Sequence, residues 1–217
     1  MIGRLGEFFC PHYCLKCGKV GGILCSCCEK NIIFGQKMGC LKCGRQLIDE
    51  RCGACALPFN RQFCLGTREA ELKELVTLFK YERVRACGVE LARLLRMKFG
   101  DLTDGAVIAP LPTIRKHIRE RGFDHTLKLA RWIANSCGGE VARVLERANN
   151  AVQVGASVET RKEQAQSAYR AQNVNADKRY VLLDDVWTTG SSMLAACKEI
   201  QKAGAKQIDV IIIAKSG

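Results

Sequence analysis

The segment Tyr180-Val181-Leu182-Leu183-Asp184-Asp185-Val186-Trp187-Thr188-Thr189-Gly190-Ser191-Ser192 runs from a compact apolar strand through two acids into a hydroxyl-rich turn. Its pattern predicts a strand over Tyr180 to Leu183, a turn over Asp184 to Gly190, and a helix over Ser191 to Ala203 stopped by Gly204. Gln207 to Ala214, rich in isoleucine and valine, reads as a second apolar strand. Strand, loop, helix and strand with wholly apolar strands imply a parallel sheet covered on both faces, hence an α/β fold. Gly190 permits a tight turn whose N–H groups converge on one point, and the following helix adds partial positive charge there. A phosphate is favoured at such a point, with hydroxyls of Thr188, Thr189, Ser191 and Ser192 as further donors. Asp184 and Asp185, at the strand's carboxyl end, suit acceptors for the vicinal hydroxyls of a ribose.

Upstream, Leu72, Leu75, Val76 and Phe79 recur at helical spacing within Glu69 to Tyr81, and Arg83 to Phe99 repeats the pattern. Ala106 to Ala109 reads as a strand ending at Pro110-Leu111-Pro112, and Phe123 to Cys137 as another helix. Glu140 to Leu145 suits a short strand. Asn149 to Asn175 is polar and glutamine-rich, and is expected to be a long loop with helical fragments. Arg115, Lys116, Arg119, Arg121, Lys128 and Arg131 face only Glu120 and Asp124 over their span, a local balance of +4. Guanidinium groups there could meet an anionic ligand in paired geometry, against the plainer reading of a solvated helix start.

The first sixty residues are different in kind. Eleven of the fourteen cysteines lie between Cys10 and Cys64, and eight form Cys-x-x-Cys pairs: Cys14/Cys17, Cys25/Cys28, Cys40/Cys43 and Cys52/Cys55. Two sulfurs spaced this way aim at one ion, and four complete a tetrahedral zinc shell, so two structural zinc sites are expected. Spacing leaves the pairing open between sequential and interleaved. Gly18, Gly44 and Gly53 each follow a ligand and suit knuckle turns, while Cys10 and Cys27 are spare and His12 is a weak ligand candidate. Closed four-cysteine sites favour a structural role over a nucleic-acid ribbon using Lys16, Lys19, Lys37, Lys42 and Arg45. Cys64, Cys87, Cys137 and Cys197 are expected in the core. A zinc-ribbon module at 1–62 and an α/β domain at 63–217 follow as expectations. The formal charge of +12 falls to about +8 with eight thiolates and two zinc ions, which still favours polyanions. No apolar run reaches the roughly 20 residues of a membrane span, and Met1 to Glu7 lacks an apolar signal core. A cytoplasmic protein without direct membrane insertion is expected.

Across nearly the whole chain these features resemble the ComF family of competence proteins, whose main domain has the type I phosphoribosyltransferase fold. The resemblance rests on the double zinc ribbon, on Arg119-Glu120-Arg121-Gly122-Phe123 against the family's R-x-R-G-F-N-Q, on Leu182 to Ser192, and on Ala203-Gly204-Ala205. The family's Asn-Gln after the phenylalanine stands here as Asp124-His125, and its second R-x-x-N as Arg161-Lys162-Glu163-Gln164. The resemblance implies that Asp184 and Asp185 contact the ribose of phosphoribosyl pyrophosphate and that Thr188, Thr189, Gly190, Ser191 and Ser192 hold its 5′-phosphate. Leu111, Pro112 and Thr113 would form the pyrophosphate loop, and the basic cluster read above places Arg115, Lys116, Arg119 and Arg121 where they could approach a pyrophosphate. Asn149 to Gln172 would cover a filled site, and Mg²⁺ would arrive on substrate oxygens.

A pentosyl-transferring reaction would displace pyrophosphate at ribose C1, and Asp184, Asp185 and Arg121 are the catalytic candidates. Thr188 stands where purine salvage enzymes of this fold carry an acid, and position 2 offers no glutaminase nucleophile, so the acceptor stays open. The alternatives are a non-catalytic single-stranded-DNA-binding protein of natural transformation and a zinc-mediated adaptor for a competence helicase or translocase. His117 and His125 lie close enough to suggest a general base, although exposed histidines near loops are common.

Overall fold

The structure is a computed structural model, and it describes residues 13–35, 38–82, 84–148 and 168–216. Cys10, His12, Lys37 and the 149–167 part of the covering loop lie outside the described residues.

Five parallel strands form the main sheet in the order β1-β7-β6-β2-β3: β1 Arg61–Thr67, β2 Ala106–Pro110, β3 Glu140–Val141, β6 Arg179–Trp187 and β7 Gln207–Lys215. β6 and β7 lie side by side at the centre, and six of the seven residues from Ile208 to Ala214 are apolar and all are buried. That burial on both faces is what a continuous apolar strand requires. One face is covered by α2 (Ala70–Tyr81), α3 (Arg85–Phe99) and α5 (His125–Cys137), which pack Leu75, Phe79, Leu91, Leu95 and Ile133 against Val181, Leu183 and Ile211. The other is covered by α6 (Ser191–Lys202), whose Met193, Ala196, Cys197 and Ile200 meet Tyr180, Leu182 and Val210. Cys64, Cys87, Cys137 and Cys197 are all buried in these two cores.

Two strands have no counterpart in the sequence reading. β1 forms the sheet edge, and it crosses the expected 62/63 boundary between the two modules. Of the expected polar loop, Tyr169–Ala171 is instead strand β5, antiparallel to β4 (Leu145–Arg147). The strand β6 also continues through Asp184 and Asp185 to Trp187, where a turn was expected.

The cysteine module straddles β1. Cys14, Leu24, Cys28 and Ile33, the last two on α1 (Ser26–Phe34), join the first core, whereas Leu41 and Phe59 join the second. The Gln62 N–H donates to the Glu50 carbonyl at 2.9 Å, so the module supplies an acceptor to an edge strand that would otherwise be bare. At the amino end of the sheet, buried Asp209 is held by Arg61 at 2.6 Å and Arg179 at 3.0 Å.

Candidate functional site

The carboxyl ends of β1, β2, β6 and β7 share one edge. There β6 gives way to Thr188-Thr189-Gly190 and then α6. Gly190 has φ +77, the left-handed region, and an added Cβ would collide with the Trp187 ring. Both facts demand glycine. Trp187, 3% exposed, is thus the floor on which the turn rests. Thr188 to Ser192, Asp184 and Trp187 line a cavity of about 50 Å³. Among the described residues the N–H groups of Thr188, Thr189, Gly190 and Ser192 have no hydrogen-bond acceptor. The Thr189 and Ser191 hydroxyls lie 2.8 Å apart, and Ser192 meets the buried hydroxyl of Tyr169. Unpaired amides and hydroxyls around a small cavity at a helix start are groups that could receive an anion.

The two acids part company. Asp184 faces the cavity, accepts the Asp185 N–H at 2.9 Å, and is pushed up to about 6 by burial, with Lys80 and Arg147 pulling the other way. Asp185 lies on the opposite face, 7% exposed, with its Oδ2 against the Lys80 ammonium of α2 and 3.1 Å from Nε2 of His125 on α5. Burial and the charge of Arg121 pull Lys80 down to about 8, with the charge of Asp184 pulling the other way.

Arg121 ends α4 (Arg115–Arg121), and its side chain is buried rather than extended to the loop edge. Its Nη1 is 2.9 Å from Nδ1 of His125. A guanidinium only donates, so Nδ1 accepts and the ring proton sits on Nε2, 3.1 Å from an Asp185 Oδ2 that makes no hydrogen bond of good geometry among the described residues. Burial together with Lys80 and Arg121 pushes His125 down to about 3. His125 is therefore a fixed neutral spacer between an arginine and an aspartate. His117 is on the exposed face of α4 beside Glu120 at 3.1 Å.

Leu111, Pro112 and Thr113 follow β2 directly. The Leu111 N–H donates to Leu183 at 2.9 Å, and the Pro112 carbonyl accepts from Arg147 Nε at 3.0 Å. Thr113 donates to Asp124 at 3.1 Å, and Asp124 also caps α5 through the Leu127 N–H. Arg115 and Arg119 are exposed on α4. No local sequence signal marks Lys80, Arg147 or Tyr169 as neighbours of the loop. Arg147 lies over the Tyr169 ring at 5.4 Å, bridging the loop after β2 to the acid of β6.

The cysteines group sequentially. Cys14, Cys17, Cys25 and Cys28 form one cluster and Cys40, Cys43, Cys52 and Cys55 the other, with all sulfurs of each within 4.8 Å of one another. Across a tetrahedral shell with sulfur at about 2.3 Å, sulfurs stand about 3.8 Å apart. Cys17 and Cys25 are at 3.5 Å and Cys43 and Cys52 at 3.8 Å, so each cluster could hold zinc. The first pair of each site is the same knuckle: the Gly18 N–H donates to Cys14 and that of Gly44 to Cys40, both glycines being left-handed. Gly53 does not adopt that conformation. Buried Gln62 donates to Cys40 Sγ at 3.7 Å and accepts the Leu41 N–H at 2.8 Å, tying the second cluster to β1. Lys16 pairs with Glu71 of α2.

No helix among the described residues is long and apolar enough to cross a membrane. Residues 128–217, from α5 through β7, match the Phosphoribosyl transferase domain family. Competence protein F of Haemophilus influenzae is 26% identical over 212 residues, covering 89% of this chain and 90% of that protein. DNA utilization protein YhgH of Escherichia coli is 27% identical over 204 residues, covering 86% and 88%. The solved glutamine phosphoribosylpyrophosphate amidotransferase from B. subtilis, complexed with ADP and GMP, is 19% identical with a TM-score of 0.43. That match covers 58% of this chain and 25% of that one, so this chain spans about a quarter of that enzyme's length. The matched segment carries the turn from Thr188 to Ser192, the two cysteine clusters precede the parallel sheet, and over most of its length the chain is similar to competence-type proteins of the ComF kind with a phosphoribosyltransferase-like domain.

Proposed function

We propose that the carboxyl edge of the sheet binds phosphoribosyl pyrophosphate or a closely similar phosphosugar, with Mg²⁺ carried on the ligand's oxygens, in a cytoplasmic protein of DNA uptake. The unpaired amides of Thr188, Thr189, Gly190 and Ser192 around the 50 Å³ cavity carry the reading. The 5′-phosphate sits in that cradle. Asp184 accepts from the ribose hydroxyls, and Asp185 sets the edge from behind through Lys80 and His125. Arg147 and the loop Leu111 to Thr113, with Arg115 and Arg119 beyond it, face the pyrophosphate. The names of the relatives, competence protein F and DNA utilization protein, support the wider role. The cysteine clusters hold structural zinc that shields the sheet edge.

Transfer of the ribosyl group would break the C1–oxygen bond to pyrophosphate as an acceptor's lone pair bonds to C1, and pyrophosphate leaves with the bonding electrons. Arg147 would stabilise the departing charge. A second reading, in which the site binds without transferring, is favoured by one observation: Asp184 is the only carboxylate lining the cavity among the described residues, and His125 is locked. Calorimetric titration with phosphoribosyl pyrophosphate and Mg²⁺, with a single-stranded oligonucleotide as competitor, tests the site. Saturable heat lost in Asp184→Ala supports it. No heat from a folded protein at millimolar ligand removes it.

A further inference from the structure

Arg121 also lines a second cavity, of about 300 Å³. Apart from Gly122, its walls are of two kinds. Phe79, Phe123 and Trp132 supply rings that pack on one another at 5.6 to 5.7 Å, and Arg85, Arg121 and Lys128 supply cations. The Lys128 ammonium stands 4.5 Å over the Phe123 ring, so cation and ring present a composite surface. Among the described residues none of these three cations meets a carboxylate within 4.0 Å. Arg121 is only 9% exposed, and its buried Nε has no hydrogen-bond partner. Native structures rarely leave such a donor idle, and an unneutralised cationic cluster around apolar rings is costly unless an anion arrives. Phe79 has no room to yield, because Gly88 beneath it would strike both Phe79 and Trp132 if it carried a Cβ. The wall is built, not incidental.

We propose that this cavity binds one nucleotide unit, the base stacked on the Trp132 and Phe123 rings and the phosphate held by Arg85, Lys128 and Arg121. Rings accept any base face, and guanidinium groups bind phosphate oxygens in pairs, so the chemistry fits a nucleotide better than an apolar ligand or bare phosphate. The volume is at the small end of ligand sites and has room for an unpaired nucleotide but not for a base pair. Its source is a free mononucleotide or a residue of a single strand. The site is distinct from the phosphate loop and does not depend on the reading given for that loop.

The test is calorimetry at low salt with thymidine 5′-monophosphate, a short thymidine oligonucleotide and inorganic phosphate, on the full chain with its metal. The wild type is expected to bind the mononucleotide, the oligonucleotide or both, and Arg85→Ala/Lys128→Ala to bind them at least tenfold more weakly. Arg85 is exposed and Lys128 half-buried, and thermal melting of the variant verifies its fold. Its affinity for phosphoribosyl pyrophosphate is expected to be unchanged. Binding of the oligonucleotide alone identifies a strand as the occupant, and binding of the mononucleotide alone identifies the free species. Equal affinity in wild type and variant, phosphate binding as tight as the nucleotide's, or no nucleotide heat at millimolar concentration each overturns the proposal. Nucleotide binding that persists where phosphoribosyl pyrophosphate fails to bind would sink the loop reading while leaving this one standing.

Discussion

Nε2 of His125 lies 3.1 Å from Oδ2 of Asp185, and Nδ1 of the same ring takes a proton-bearing Nη1 of Arg121 at 2.9 Å. The ring is committed on both sides: with Nδ1 accepting, no lone pair remains for a second proton, which agrees with a value pushed down to about 3. An unfolded chain takes up that proton near pH 6.5 while the folded chain refuses it. The sign follows. Stability due to His125 is complete above about pH 6.5 and is lost as pH falls towards 3, at up to about 1.4 kcal/mol per pH unit. Because Asp184 titrates with the opposite sign over part of this range, the slope is read as the difference between wild type and His125→Gln in urea unfolding from pH 7 to 4. His125→Gln offers a carbonyl to Arg121 and an amide to Asp185 without titrating, so its stability relative to wild type is expected to rise as pH falls. An identical slope in the variant would remove His125 as the cause.

The same geometry explains a departure from the family pattern. Where the motif that this chain resembles has Asn-Gln, Asp124-His125 stand here. Asp124 caps α5 as asparagine can, and His125 as the Nε2–H tautomer has one acceptor and one donor, as glutamine has. The strand, turn and helix around Gly190 were legible because an apolar run, a glycine and a hydroxyl cluster are local signals. The cysteine pairs were legible for the same reason. Lys80 and Arg147 were not, because what brings them to Asp184 is the packing of α2 and the pairing of β4 with β5. The edge strand β1 was hidden by its place between the last ligand and the first helix, where Gln62 serves the metal cluster and the sheet together.

Gly190→Ala is expected to disrupt the cradle. The residue must hold φ +77 and its Cβ would enter the Trp187 ring, so the turn must move or the indole must leave the core. A cost of about 1–3 kcal/mol is expected from strain and lost packing. Phosphoribosyl pyrophosphate binding should fall with it. Thermal melting and calorimetry on the variant check both, and an unchanged melting temperature with unchanged affinity contradicts the geometry.

Asp184 is predicted to trade stability for binding. Burial raises its carboxyl to about 6 from the ordinary 3.8, so the folded chain holds the proton more tightly than the unfolded chain. Stability from this group is complete below about pH 3.8 and is lost as pH rises through 6. At pH 7.5 Asp184→Asn is expected to be more stable than wild type by about 1–2 kcal/mol, the shift being discounted for partial solvation. The gain should vanish near pH 4, where the carboxyl is already neutral, and ligand affinity should drop at least tenfold at pH 7.5. Denaturant midpoints at the two pH values decide it; a variant less stable than wild type at pH 7.5 goes against a carboxylate whose burial outweighs the pull of Lys80 and Arg147.

Gln62→Leu separates the two cysteine clusters. The amide nitrogen of Gln62 reaches Cys40 Sγ at 3.7 Å and its oxygen takes the Leu41 N–H at 2.8 Å, while nothing comparable links it to Cys14, Cys17, Cys25 or Cys28. Leucine keeps the volume but leaves the buried Leu41 donor without its acceptor and the sulfur without its amide. Loss of such an outer partner weakens metal binding by roughly 10–100-fold, and the orphaned donor adds about 1–3 kcal/mol of instability. Wild type is expected to release two zinc ions per chain to a chelator, each release melting part of the β1 edge. In Gln62→Leu one ion should leave at lower chelator concentration and the other at the wild-type concentration. Simultaneous earlier release of both ions would mean the clusters act as one unit, and unchanged release of both would mean Gln62 supports the strand alone.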